Sequence, residues 1–358
     1  MFFVAVSRRK EDDNPLGLNG QARPHRSAWH FHELEPYRKV RYHLGGEANR
    51  SSADKYSRRA IMGVISPGIR RAPVILVIAL MAGVLSGCDV GTPRILVVGD
   101  SWAFLMGYQR SLGNVMARHG HEEYSDYLSI RHLTAVPGLT AKALARNRLG
   151  VLNNIGRALR AEPTIDIVHL SIGGNDGIAL WNPLLSRAEE QELMDEIVGN
   201  VRRIVEYILA VRPNIRVAIC GYDYMDYHTR YVPPRVYNAA AVRLAGHIID
   251  MVKTIDRCEY VNNFGLMQYE FGYPGPFDDE NIPVVYLPHE VPFPGNADTD
   301  YVPLAGGDIA YPSPAHTLSY GLLATTSIHL NRAGYERIAL NCLEQYYFDW
   351  LDNPLPAE

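Results

Sequence analysis

Four stretches of this chain carry groups able to do nucleophilic chemistry: Gly99-Asp100-Ser101-Trp102, Val136-Pro137-Gly138-Leu139-Thr140, Ile172-Gly173-Gly174-Asn175-Asp176, and His329. A serine hydroxyl is a poor nucleophile until an imidazole takes its proton, and the oxyanion that follows needs N–H donors. Ser101, behind a glycine that lets the chain turn, falls at a helix N-terminus whose backbone N–H groups are free. Gly138 presents its N–H without a side chain in the way, and Asn175 offers an NH2 donor. Each has a plainer reading: Ser101 as an N-cap, Gly138 as a turn, Asn175 in an Asx turn, His329 as a surface histidine.

These residues can meet only if the fold brings them to one edge. RILVVG (94–99), YLSIRHLTAV (127–136), IDIVHLSI (165–172) and IRVAICG (215–221) read as apolar strands, and YVNNFG (260–265) as a short fifth. Helical patterns separate them, over Trp102 to about His119, Thr140 to Arg160, a capping box at Ser186 and Glu189 running to about Ala210, and Tyr237 to Ile255. Asn331 can cap a last helix that continues to about Asp352. Strands buried on both faces and alternating with helices predict an α/β three-layer sandwich around a central parallel sheet of about five strands. Ligands in such sheets sit beyond the carboxyl ends of the strands, which is where Ser101, Gly138 and Asn175 fall. From about 266 to 325 the alternation stops and the chain turns rich in Tyr, Pro, Gly and Asp. That span reads as an inserted cap or loop, too long for an ordinary connection.

Taken together, GDS, GGND and HLNRAGY, in this order and after successive strands, resemble the SGNH, or GDSL-type, serine hydrolase family across 88–358. The resemblance implies a flavodoxin-like fold, Ser101 as nucleophile and His329 as base. It also implies an oxyanion hole from the Ser101 and Gly138 backbone N–H groups and the Asn175 side chain. The family usually places Asp three residues before the histidine, whereas Thr326 stands there. Thr can accept a hydrogen bond from the imidazole and fix its tautomer, yet cannot offset the imidazolium charge. Three accounts stay open: a carboxylate from Asp308, Asp300 or Asp223, a Ser-His dyad oriented by Thr326 or a carbonyl, or lost activity.

A formal net charge of −4 gives no basic face for phosphates, so no nucleic-acid partner is expected. No His, Cys, Asp or Glu spacing matches a metal motif, and no cofactor or metal is expected. Cys220 reads as a small buried hydrophobe, and a Cys258–Cys342 bridge is open. Residues 1–61 read as a disordered or mis-assigned extension. Residues 62–87, with Arg70 and Arg71 before the apolar run Val74 to Leu85, resemble a lipoprotein signal peptide, which makes Cys88 the lipidated first residue. Apolar runs well under about 20 residues are short for a membrane-spanning helix. The implied place is the bacterial cell envelope, anchored in the membrane by lipid, with Asp89 favouring the inner membrane. The expected partner is a small-molecule or glycan ester carrying a short acyl group, since no long apolar groove is readable. Tyr269, Tyr273, Phe277, Tyr286, Tyr301, Tyr311 and Tyr320 either stack on a sugar or aryl group or fill the insertion's own core. An O-acyltransferase would use the same residues, and a binding lipoprotein on a decayed scaffold would need none of them.

Overall fold

A computed structural model describes residues 91–128, 132–226, 232–290, 306–314 and 328–356. The chain divides into units Met1–Leu85 and Ser86–Glu358, and the described residues all belong to the second. The extension, the signal-like segment, Cys88, Asp300 and Thr326 lie outside them.

Five strands form one parallel sheet in the order β2-β1-β3-β4-β5: β1 Thr92–Gly99, β2 Tyr124–Tyr127, β3 Ile167–Ser171, β4 Arg216–Cys220 and β5 Cys258–Val261. Ile95, Leu96, Val97 and Val98 are all fully buried, as a central strand covered on both faces requires. Side chains alternate across the sheet. Leu96, Val98, Val168, Leu170, Val217 and Ile219 point into one continuous core under α4 (Val151–Ala161), α6 (Arg187–Leu209) and α7 (Pro234–Val252). The opposite face is covered by α1 (Ser101–Tyr108), α2 (Ser111–Arg118) and α9 (Arg332–Cys342). The expected three-layer α/β fold is therefore present.

The differences from the sequence reading have local causes. The second strand is Tyr124–Tyr127, earlier than its apolar run suggested, because an edge strand needs little apolar side chain: Ser125 and Asp126 are buried in it. Among the described residues of the later run, Ala135 forms a single bridge to Gly99. The first helix is broken in two at Arg110, which sits at φ 55 in the left-handed region. The second is likewise split into α3 (Ala141–Ala145) and α4, at Asn147 (φ 50) and Gly150 (φ 70). Asn147 then caps α4 by accepting from the Leu152 and Asn153 amides. The Ser186–Glu189 capping box forms as read.

In the span read as an insertion, the described residues form a helix, α8 (Leu266–Phe271), and an antiparallel hairpin of β6 (Tyr273–Phe277) and β7 (Pro283–Tyr286). Tyr273 stacks on Tyr286 at 4.9 Å and meets Tyr311 at 5.5 Å between ring centroids, so these rings fill a local core. Phe277 is exposed, and Tyr301 and Tyr320 lie outside the described residues. Among the described residues no helix is long and apolar enough to cross a membrane.

At the amino edge of the sheet, Arg94 forks onto Asp166 with contacts of 2.8 and 2.7 Å and lies over the Tyr124 ring at 4.9 Å. Both partners are buried. Breaking such a pair strands a charge in the interior, which costs about 3–5 kcal/mol. Arg94→Ala is expected to lower the unfolding free energy by roughly that amount, as urea unfolding would show. A loss below about 1 kcal/mol, the range of surface pairs, would mean that water already reaches Asp166.

Candidate active site

β1 ends at Gly99, whose φ of 137 suits glycine alone, and a Cβ there would lie 1.9 Å from the Ser171 carbonyl oxygen. The close approach of β1 and β3 turns the chain directly into α1. Asp100 is the N-cap: its Oδ1 accepts from the Trp102 amide at 3.0 Å. The capping task therefore does not fall to Ser101, and its hydroxyl is engaged elsewhere. Ser101 Oγ stands 2.8 Å from His329 Nε2, across 228 residues of sequence. Ser101 is 9% exposed, so the serine lies almost wholly below the surface at the sheet edge.

The histidine is held from both sides along the chain. Trp102, beside the serine, donates its indole N–H to the Ile328 carbonyl at 2.9 Å. Asn331 caps α9 by accepting from the Gly334 amide at 2.9 Å. The Trp102 ring sits edge-on to Tyr222 and Tyr335, at 5.2 and 5.7 Å between centroids, so its orientation is fixed by packing. Burial pushes the His329 pKa below its ordinary value, because the charged imidazolium loses hydration. A neutral ring can accept the serine proton.

The other edge of the site is braced by the GGND stretch. Gly173 (φ 105) leads into α5 (Gly174–Leu180). Asn175 Nδ2 donates one proton to the Leu139 carbonyl at 3.0 Å, and its NH2 group has a second. Asp176 accepts from the Ala141 amide at 2.6 Å and the Lys142 amide at 3.2 Å, capping α3 across space. Both side chains thereby pin the loop that holds Gly138. Gly138 has φ 78 and nothing within 4 Å of where a Cβ would be, so its glycine answers to backbone conformation and faces open space. Burial raises the pKa of Asp176 and, more strongly, of Asp100, to about 7.

The described carboxylates considered for His329 have other partners. Asp223 accepts from the Tyr224, Gly265 and Met267 amides at 2.7, 2.8 and 3.0 Å, fastening the start of α8, and burial raises its pKa to about 6. Asp308 accepts from the Ala310 amide at 2.8 Å while its backbone is clasped by Gln268. Neither hydrogen-bonds to His329.

Sequence reasoning missed Trp102 and Tyr222. The Tyr222 hydroxyl accepts from the Gly174 amide at 3.1 Å and donates to Asp100 Oδ2 at 2.5 Å, joining the serine turn to the glycine turn. Its place two residues beyond β4 was the available signal. An apolar seam was also unread: with about 60 Å3 of open space, it lies beside Gly174 and Tyr222 between α6 and α7, past Trp181, Met194 and Tyr237. Its walls come from residues far apart in sequence. The cysteines differ as well. Cys342 Sγ faces Cys220 at 3.6 Å, whereas Cys258 lies in the core on the other side of the sheet, so a Cys258–Cys342 bridge does not form.

No curated protein matches the chain. Solved structures that resemble it include the lipase Lip_vut3 from a goat rumen metagenome, at 11% identity and TM-score 0.42, covering 72% of this chain and 98% of that one. A carbohydrate esterase family 3 protein from Talaromyces cellulolyticus follows at 12% and 0.38, covering 73% and 99%. An extracellular lipase from Streptomyces rimosus stands at 12% and 0.41, covering 71% and 99%. The sequence itself matches a family pattern from the middle of β1 into α9, residues 97–337, and so spans every element that carries the serine, the glycine turns and the histidine. The chain belongs to the GDSL-like Lipase/Acylhydrolase family and is a hydrolase of the carboxylic ester class.

Proposed function

We propose that the protein cleaves carboxylic esters through an acyl-enzyme on Ser101. The 2.8 Å contact between Ser101 Oγ and His329 Nε2 carries this reading. His329 takes the hydroxyl proton as the oxygen attacks the ester carbonyl, then returns it to the departing alcohol. The Ser101 and Gly138 backbone N–H groups and the second Asn175 proton meet the oxyanion. Water then attacks the acyl-enzyme by the same route, releasing the acid. Asp223 and Asp308 are engaged elsewhere, and Trp102 positions the histidine through its bond to the neighbouring Ile328 carbonyl.

The apolar seam beside Gly174 offers about 60 Å3 and has none of Ser101, Gly138, Asn175 or His329 in its walls, so the reading keeps the short acyl group expected from the sequence. Anchoring through Cys88 would place the site at a membrane of the cell envelope, where glycan and lipid esters both occur.

The test is hydrolysis of p-nitrophenyl esters from acetyl to dodecanoyl by the full chain, with fluorophosphonate labelling mapped by mass spectrometry. The reading expects label on Ser101 and kcat/KM highest for the short acyl esters. Wild type no faster than Ser101→Ala on every ester would sink hydrolysis, and product made only with an added alcohol would assign transfer.

The pH profile follows from the histidine. Ester cleavage requires neutral His329, and burial holds its pKa below 6.5. Going up in pH, kcat/KM is expected to rise through a single limb centred below 6.5 and to be level by neutrality. A limb centred above neutrality would mean that a carboxylate stabilises the imidazolium.

A further inference from the structure

A second constellation lies on the sheet face covered by α1, α2 and α9. His169 on β3, Cys220 at the end of β4 and Cys342 at the end of α9 are all buried, with a ring nitrogen and both sulfurs within 4.8 Å of one another. The two sulfurs are 3.6 Å apart. His169 is 0% exposed, and its Nε2 has no hydrogen-bond partner. An unpaired buried polar atom costs about 1–3 kcal/mol, and what sets this one apart from the other buried polar atoms without a partner is that two thiols face the same ring.

The surroundings favour an ion. His169 Nδ1 is 3.0 Å from the Tyr347 hydroxyl, the kind of contact that fixes the tautomer and tilt of a ligating imidazole. Tyr347 closes a π-helical turn, Leu343–Tyr347, that begins right after Cys342, and such bulges recur at functional sites. Asn263 Nδ2 donates to Cys220 Sγ at 3.3 Å, a bond that suits a thiolate. Two thiolates bound at about 2.3 Å to a tetrahedral zinc stand roughly 3.7 Å apart, close to the separation found here. A disulfide would require the sulfurs to close to about 2.05 Å and would leave His169 unpaired.

We infer that His169, Cys220 and Cys342 bind a zinc ion. Two thiolates neutralise its double charge, whereas a monovalent copper ion would leave net negative charge in the interior, which is costly. Binding forms two Zn–S bonds and one Zn–N bond, leaves the fourth tetrahedral position to a water, releases the two thiol protons to solvent and needs no oxidant. The ion ties β3 and β4 to the helix that follows the His329 loop, and so acts as a structural staple.

The full chain, refolded under reductant with Zn2+ or Co2+ and then dialysed, tests this. The expected result is about one ion retained per chain and, with Co2+, a thiolate charge-transfer band in the near ultraviolet. Cys342→Ala and His169→Gln should lose the ion, and Tyr347→Phe should weaken zinc binding about 10- to 100-fold by loosening the ring. Wild-type protein that retains no ion overturns the proposal, whether its thiols are free or peptide mapping finds a Cys220–Cys342 disulfide. Metal retained equally by a folded Cys342→Ala also overturns it. The wild-type stoichiometry decides even if the variants fail to fold.

Discussion

Replacing Ser101 with alanine is expected to lower kcat for ester hydrolysis about 10^4-fold or more, with His329→Ala costing the same and the double variant costing no more. The two groups act as one device, since a hydroxyl without the imidazole stays protonated and an imidazole without the hydroxyl has nothing to activate. Their contact at 2.8 Å is the basis for treating them as a unit. The fold should hardly notice Ser101→Ala. Asp100 caps α1, and Ser101 supplies one partly exposed hydrogen bond, so the unfolding free energy should change by about 1 kcal/mol or less. Losses that multiply in the double variant would mean that the two residues contribute separately, and the acyl-enzyme reading would fail.

Asn175→Ala is expected to lower kcat about 10^2- to 10^3-fold while leaving KM within a few-fold, the pattern of a donor that matters only once the oxyanion forms. The same side chain also braces the Leu139 carbonyl, so a loosened loop is the competing cause. The two can be separated. A loosened loop disturbs substrate binding and raises KM, whereas a lost oxyanion donor leaves KM alone. Asp176→Asn supplies the control, since it weakens the grip on the Ala141 and Lys142 amides without touching the Asn175 donors. If Asp176→Asn matches the kcat loss of Asn175→Ala, bracing accounts for both and the donor role is wrong.

The sheet was legible because β1, β3 and β4 are buried on both faces and must be written as continuous aliphatic runs. β2 was not, since an edge strand can be built from Tyr124, Ser125, Asp126 and Tyr127. Gly99, Gly138 and Asn175 were singled out by their places after apolar runs, and His329 through the resemblance that HLNRAGY carries; the contact of Ser101 with His329 is what the structure adds. The ties among them were illegible. Nothing in the spacing shows that Trp102 reaches the Ile328 carbonyl or that Tyr222 links Gly174 to Asp100, because such contacts depend on how elements pack rather than on local pattern. The same limit hid the pairing of Cys220 with Cys342, whose facing depends on strand alternation and helix phase together.

The indole bond from Trp102 to Ile328 also bears on when the protein first becomes reactive. Domains generally fold as units, so the serine turn and the histidine, which belong to one unit, come together only as the whole sheet assembles. The base is delivered by α9, nearly the last helix of the chain, and is latched only when that helix docks. A chain clipped before α9 is therefore expected to lose Ser101-dependent ester cleavage together with the cover of one sheet face.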